Sequence, residues 1–197
     1  MRKMFNIMIP ALTIAVMMAA VPFFSSCEEL YDDVLRVHIL ANSDSAADQS
    51  LKLAVRDRIV SDCAEYYRDC EGKQEAKEIT ESHLTDIERV AREEISSRGF
   101  DYPVRAEVGE AYYNTRYYDD FTMPAGWYDS LRVEIGEARG TNWWCVIYPA
   151  LCVGAACDSS MRESLSDGEY RVVTSDRFDV RFKLVDYFEG FMKLFKK

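Results

Sequence analysis

The chain has 197 residues, of which 48 % are hydrophobic and 29 % are charged. This composition is typical of a globular protein, since it is too apolar for a disordered chain and too charged for a multi-span membrane protein. Lys and Arg number 24 against 34 Asp and Glu, which gives a formal net charge of −10. Because an acidic surface repels phosphate groups, neither nucleic acid nor an anionic lipid surface is an expected partner.

The first residues of the chain have the pattern of an export signal. Arg2 and Lys3 form a basic start, and Thr13 is the only polar residue in the apolar run 7–24. Small residues follow this run and precede Cys27. This succession of basic, apolar and small residues is typical of secretory signals and predicts export.

Two alternatives to a cleaved signal stay open. An apolar run of eighteen residues is close to the length of an uncleaved membrane anchor. Residues 24–27, Phe-Ser-Ser-Cys, resemble a bacterial lipobox, which would make Cys27 a lipidation site. In every case we expect 1–27 to be a signal peptide or anchor and 28–197 to be one extracytoplasmic domain. Membrane contact is then expected only through the N-terminal segment.

Export allows disulfides, and the chain contains Cys27, Cys63, Cys70, Cys145, Cys152 and Cys157. Pro149 lies between Cys145 and Cys152 and can turn the chain back, so these two form the predicted disulfide. Cys63 and Cys70 would lie about 10 Å apart on one continuous helix, which exceeds disulfide reach, so we expect buried thiols. The remaining pairing is open. No C-x-x-C spacing occurs and there are two histidines, so no metal or cofactor is expected.

Hydrophobic periodicity predicts an alternation of helices and strands along the chain. The predicted helices are 46–70 and 73–98, and the predicted strands are 34–40, 102–108, 131–135 and 142–148. Towards the C-terminus, 170–173 and 178–182 are predicted as short strands, and an amphipathic helix with Leu184, Phe188 and Phe191 follows. We therefore predict an α+β two-layer sandwich of a mainly antiparallel sheet, two long helices and a C-terminal amphipathic helix. An α/β domain with a mixed sheet is the alternative.

A first group of polar residues follows the first strand, namely Arg36, His38, Asn42, Ser43, Asp44, Arg56 and Asp57. One interpretation is a hydrolase site, with His38 as base, Ser43 or Ser45 as nucleophile and an aspartate that orients the base. The interpretation that we favour is structural, with Asn, Ser and Asp capping the next helix and the arginines forming ion pairs. The sequence contains no G-x-S-x-G, no glycine-rich phosphate loop and no H-E-x-x-H.

A second group lies on the last predicted strand of the sheet and contains Asn142, Trp143 and Trp144. Adjacent residues of a strand point to opposite faces, so one tryptophan can enter the core while the other faces outward. Two roles for these tryptophans stay open. They could pack against a disulfide in the core, or they could be exposed at a protein interface, since tryptophan is common in binding hot spots.

These two groups resemble characteristic blocks of a known family. Residues 35–45, Leu-Arg-Val-His-Ile-Leu-Ala-Asn-Ser-Asp-Ser, together with 48–57, are similar to the opening of the stage II sporulation protein R family. Residues 123–136 and 140–152 resemble its second block. The resemblance implies a secreted signalling protein of endospore-forming bacteria that is made in the forespore and exported into the space between the two membranes.

The resemblance further implies that the protein activates a membrane-embedded aspartic protease, stage II sporulation protein GA, which cleaves the precursor of sigma factor E. It implies no catalytic residue, so we do not expect an enzyme. The two blocks are the candidate receptor surface or its scaffold. An exported hydrolase that uses His38 and Asp44, and a lipoprotein binding module, are the alternative functions.

Overall fold

A computed structural model of the protein describes residues 2–118, 121–149, 162, 164–175 and 179–193. Within this part, the helices are α1 (Arg2–Asp33), α2 (Ala46–Cys63), α3 (Lys73–Ser82), α4 (Leu84–Ser97), α5 (Asp167–Val173) and α6 (Val180–Met192). The strands are β1 (Leu35–Leu40), β2 (Val104–Tyr113), β3 (Arg116–Tyr117), β4 (Thr122–Met123), β5 (Gly126–Ile135) and β6 (Asn142–Tyr148). The chain divides into a sheet unit (32–112 and 127–164) and a helical unit (1–31, 113–126 and 165–197).

Four strands of the sheet unit lie in the order β2-β5-β1-β6. β1 is antiparallel to β6 and parallel to β5. The Gly136 amide donates to the Pro103 carbonyl and the Ser130 hydroxyl donates to the Gly109 carbonyl, so β2 and β5 are antiparallel. The predicted α+β class with a mainly antiparallel sheet is thus confirmed, and the β1–β5 pair is its parallel exception.

Helices α2 and α3 cover one face of this sheet. Both contact β1, and α2 also packs on α4 and β6. The apolar stripe of α2 that contains Leu51, Val55 and Ile59 is at most 2 % exposed, as its spacing predicts. Val37 and Ile39 of β1 are fully buried. The α2–α4 layer and the sheet therefore make up the two layers of the predicted sandwich.

The two long predicted helices, 46–70 and 73–98, extend further than the helices of the structure. α2 ends at Cys63 rather than at Cys70, and the turns that follow bring the buried Tyr67 hydroxyl 2.8 Å from Thr80 Oγ1. The predicted helix 73–98 is interrupted at His83, whose Nδ1 lies 2.8 Å from the Ile79 carbonyl oxygen. Because His83 is the C-cap of α3 and the N-cap of α4, the helix axis is free to change direction there.

The predicted strands 170–173 and 178–182 are wrong, since α5 and α6 occupy this part of the helical unit. α5 begins with a capping box in which the Ser166 hydroxyl accepts from the Glu169 amide and the Glu169 carboxylate accepts from the Ser166 amide. Asp179 caps α6 by accepting from the Arg181 amide. These caps start helices in segments whose apolar residues alternate by chance.

The backbone of the predicted export segment is helical and forms the first part of α1. The side chains of 2–7, 9, 12–17 and 19, which include half of the apolar run, lie outside the described part. Where side chains are described, no helix combines the length and the apolarity that crossing a membrane requires. The predicted boundary after residue 27 therefore stays a prediction.

Candidate functional site

The two sequence blocks lie side by side in the sheet unit. In the antiparallel β1–β6 pair, His38 is opposite Trp144, Ile39 is opposite Trp143 and Leu40 is opposite Asn142. Directly opposed residues of an antiparallel pair project from the same face of the sheet. The structure thus places the two blocks on adjacent strands, although about a hundred residues separate them in the sequence.

On the sheet face that points away from α2, the rings of His38 and Trp144 stack on each other. The rings of His38 and Trp144 are nearly parallel, at 12°, with centres 3.6 Å apart. On the neighbouring strand β5, Arg132 lies opposite His38 and forms an ion pair with Glu134 at 2.6 Å. The Arg132 and Glu134 side chains are 42 % and 26 % exposed. Trp144 is half-buried, so this group presents aromatic and charged atoms to the outside.

Strand β2 extends this face with charges of both signs. Arg105 and Glu107 form an exposed ion pair at 3.0 Å. The antiparallel register that pairs residue 103 with 136 places Glu107 opposite Arg132, and Arg105 opposite Glu134. We call His38, Arg105, Glu107, Arg132, Glu134 and Trp144 the polar sheet face. A binding partner would have to match its alternating charges, which favours specific recognition over general electrostatic attraction.

Arg36 lies on the same face of β1 but is not available for contact. Its side chain is fully buried, and its guanidinium carbon is 4.9 Å from the centre of the Tyr128 ring. Its Nε also donates to the Cys145 carbonyl at 3.5 Å. Arg36 therefore belongs to the scaffold of the predicted surface.

Trp143 projects towards α2, on the opposite face of the sheet from Trp144. The guanidinium carbon of Arg56 is 5.1 Å from the Trp143 ring centre, which is a cation–π distance. Arg56 also pairs with Asp57 at 2.6 Å, and its side chain is 26 % exposed. The predicted opposite orientation of the two tryptophans is borne out, and each contacts a residue of the first block.

The predicted polar group between β1 and α2 forms a hydrogen-bond network around two aspartates. Asp48 accepts from the Ser43 hydroxyl at 2.5 Å and from the Asn42 amide at 3.0 Å. These bonds, the one from Ser43 first, lower the pKa of Asp48. Asp44 accepts from the amide and the hydroxyl of Thr141 at 2.5 and 2.6 Å, and these bonds lower its pKa.

Both predicted nucleophiles, Ser43 and Ser45, make structural contacts within this network. The Ser43 hydroxyl donates to Asp48, and the Ser45 hydroxyl accepts from the Asp48 amide at 3.1 Å as the N-cap of α2. A nucleophilic serine instead needs its hydroxyl bonded to the general base. The contacts of Asn42, Ser43 and Asp44 are thus structural, but these residues do not cap α2 as predicted. The N-cap of α2 is Ser45.

Three further residues of this region were not predicted as functional. A Cβ at Gly136 would lie 2.2 Å from Asn42 Oδ1, and its φ of +61° disfavours other residues. A Cβ at Gly140 would lie 2.2 Å from the Ser43 carbonyl oxygen. Lys52 is buried and donates to the Thr141 carbonyl at 2.8 Å, and burial lowers its pKa. In the sequence, the feature that could have indicated these contacts was the presence of two glycines just before β6.

In the part of the chain that the structure describes, the cysteines do not form a functional site. Cys63 is a buried free thiol, as predicted, and burial raises its pKa to about 12. Cys70 is also free but half-buried. Cys145 is disulfide-bonded, and the pairing with Cys152 stays a prediction because Cys152 lies outside the described residues. Among described side chains, no three His, Cys, Asp or Glu residues are arranged to hold a metal.

Comparison with known proteins identifies the family. Residues 31–158 match the family described as Stage II sporulation protein R. A relative named Stage II sporulation protein R, from Bacillus subtilis (strain 168), is 33 % identical over 121 residues, which are 61 % of this chain and 54 % of the relative. The chain thus spans about half the length of that curated relative. No solved structure matches the chain. The chain belongs to the stage II sporulation protein R family.

Proposed function

We propose that the chain is an exported sporulation signal that activates a membrane-embedded aspartic protease, stage II sporulation protein GA. The activated protease would then cleave the precursor of sigma factor E. Family membership supports a role in sporulation. The basic start and the apolar run 7–24 support export into the space between the forespore and mother-cell membranes. In this proposal the protein acts by binding and not by catalysis.

The observation that best supports the proposal is that the two family blocks lie on paired strands, β1 and β6. His38 and Trp144 stack at the centre of the polar sheet face, next to the Arg132–Glu134 ion pair. A half-buried tryptophan that is held by a neighbouring ring, with charges around it, is typical of a binding hot spot. Binding activates the protease if the polar sheet face contacts its active form more tightly than its inactive form.

The alternative functions have less support. A hydrolase would need Ser43 or Ser45 as nucleophile, and both hydroxyls are engaged with Asp48. A lipoprotein module would need a lipidated Cys27, whereas Cys27 is a free thiol that is 1 % exposed. We therefore keep the binding signal as the single proposed function.

The test is co-expression of the chain with the protease and the sigma precursor in a non-sporulating host. The matched control carries Ile14→Asp and Val16→Asp, which interrupt the apolar run and block export without touching residues 20–197. We expect precursor cleavage with the exported chain and none with the control. Absence of cleavage by a folded, exported chain would refute the proposed activity, and equal cleavage by the control would refute an extracytoplasmic signal.

A further inference from the structure

Helix α1 continues past the point at which the export segment is predicted to end. It runs without interruption from Arg2 to Asp33, so a cut between Ser26 and Cys27 would fall inside the helix. Phe23 is 5 % exposed and Cys27 is 1 % exposed, on either side of that cut. The end of the predicted export segment is thus part of the folded helical unit.

Contacts to α6 show what this end of α1 does. The Phe23 and Phe182 rings meet edge to face with centres 5.3 Å apart, and Phe182 is fully buried. The Phe24 and Phe188 rings meet in the same way at 5.6 Å. Beyond the cut, the Tyr31 hydroxyl donates to the Ala125 carbonyl at 2.5 Å. Cleavage would remove Phe23 and Phe24 and open the packing around Phe182.

The outer side of α1 and α6 is an exposed apolar face. Its members on α6 are Leu184, Tyr187, Phe188, Phe191 and Met192, which are 38 % to 78 % exposed. On α1, Met18 and Val21 are 70 % and 63 % exposed. A groove of about 680 Å³ between the helices is lined by Ala20, Val21, Phe24, Ser25, Glu28, Leu184 and Phe188, with Glu28 as its charged member. Exposed apolar side chains in such number mark an interaction surface.

Charge and position indicate which partner fits this face. Helix α6 carries two basic and two acidic residues and is therefore neutral, whereas the whole chain has a net charge of −10. A helix with a wide apolar stripe and no net negative charge is compatible with a membrane surface, whereas a strongly acidic surface is repelled by anionic lipid. The groove also lies where the apolar run of α1 ends and Glu28 begins an acidic stretch, which is where a bilayer interface would lie.

We propose that α1 is retained after export and that the exposed apolar face of α1 and α6 lies on a lipid membrane. The overall charge predicts membrane contact through the N-terminal segment only, and α6 adds a second contact. Cys27 is inaccessible to a lipid-transferring enzyme in this fold, since it is buried between the helices of its unit. The proposal shares only export with the proposed function and does not depend on which protein receives the signal.

The first test measures whether residues 1–26 remain on the exported protein. The full chain is produced in a Gram-positive host, labelled on the surface of protoplasts and purified through the label, so that only exported chains are weighed by mass spectrometry. We expect the mass of the uncut chain. A mass that lacks residues 1–26, or a lipid adduct on Cys27, would overturn the proposal.

The second test measures contact between α6 and lipid. Full-length Phe191→Trp is reconstituted into vesicles of phosphatidylcholine and phosphatidylglycerol with brominated acyl chains, which quench nearby tryptophans. The matched control is Arg171→Trp, at an exposed position of α5 in the same unit. The fluorescence of the parent protein's own tryptophans is subtracted first. We then expect the lipid to quench the tryptophan at position 191 at least twice as strongly as the one at position 171. Equal quenching would show that something other than lipid covers the α6 stripe and would overturn the proposal.

Discussion

His38 on β1 and Trp144 on β6 stack with ring centres 3.6 Å apart, although they are 106 positions apart in the sequence. Each ring restricts the other, because neither can change rotamer without losing the stack. A tryptophan held in this way loses little conformational entropy when it binds a partner. The stack is therefore the reason that we propose Trp144 as the anchor on the polar sheet face.

We expect Trp144→Ala to weaken binding to the receptor protease by about 2 kcal/mol, or about 30-fold in Kd, as for other aromatic anchors. Sigma-precursor cleavage in the co-expression assay should fall accordingly. Trp144→Phe keeps a ring over His38 and should retain most of the activity. Circular dichroism checks that both variants are folded. Unchanged cleavage with folded Trp144→Ala would remove this residue from the proposed interface.

On the other face of the sheet, Arg56 and Trp143 should contribute to stability rather than to recognition. A cation–π contact at 5.1 Å with a partly exposed arginine contributes about 0.5–1 kcal/mol. A double-mutant cycle with Arg56→Ala and Trp143→Ala, measured by denaturant unfolding, should give a coupling free energy of this size.

The matched control for this cycle is Arg58→Ala combined with Trp143→Ala. Arg58 lies on the same helix and pairs with Asp62 at 3.0 Å instead of contacting the tryptophan. Its coupling to Trp143 should be close to zero. A coupling equal to that of Arg56 would show that the cation–π contact contributes nothing specific.

The sequence predicts those parts of the fold in which local pattern and tertiary packing agree. Strands β1 and β6 were predicted within one residue at each end, because their apolar, β-branched and aromatic residues are also the ones that pack. The polar residues after β1 were correctly interpreted as structural, but the predicted caps at 42–44 bond to Asp48 and Thr141 instead. The N-cap is Ser45, whose hydroxyl accepts from the Asp48 amide.

Errors arose where a tertiary contact decides the local structure. The apolar periodicity continues through His83, but its ring bonds to the Ile79 carbonyl and stacks on Tyr66 with centres 4.3 Å apart. Similarly, Ser166 and Glu169 have capping-box spacing, which the alternating apolar residues after them obscured. The pairing of the two blocks on β1 and β6 was not predicted, because strand order depends on long-range contacts.

Gly140 should tolerate no side chain, because its backbone passes close to the turn that begins α2. A Cβ there would lie 2.2 Å from the Ser43 carbonyl oxygen and 3.0 Å from the Ala41 Cβ. Since backbone cannot move aside as a flexible side chain can, we expect Gly140→Ala to destabilise the protein by about 1–3 kcal/mol.

Gly109→Ala is the matched control, because a Cβ at Gly109 meets nothing within 4 Å. It should change the unfolding free energy by less than about 1 kcal/mol. Thermal unfolding of both variants measures the difference. Equal melting temperatures would contradict the close approach of residues 41–43 and 140.

Asp48 should make stability depend on acid pH. Its bonds from Ser43 and Asn42 favour the carboxylate and lower the pKa in the folded state below the ordinary value of about 3.9. A group with a lowered folded pKa stabilises the protein above its unfolded pKa, and this contribution is lost as pH falls through the folded pKa. Stability should therefore fall as pH is lowered from about 5 towards 2.

Asp48→Asn isolates this contribution from the other carboxylates. At pH 7 it should cost about 1–3 kcal/mol, because Asp48 is 4 % exposed and loses a charge-assisted hydrogen bond. The difference from wild type should shrink as pH falls through the folded pKa of Asp48, since the wild-type carboxylate is then protonated. Ser43→Ala removes the first donor but keeps the carboxylate, so it should show part of the same pH dependence. Denaturant unfolding across this pH range checks both variants, and a difference independent of pH would refute the assigned role of the Asp48 carboxylate.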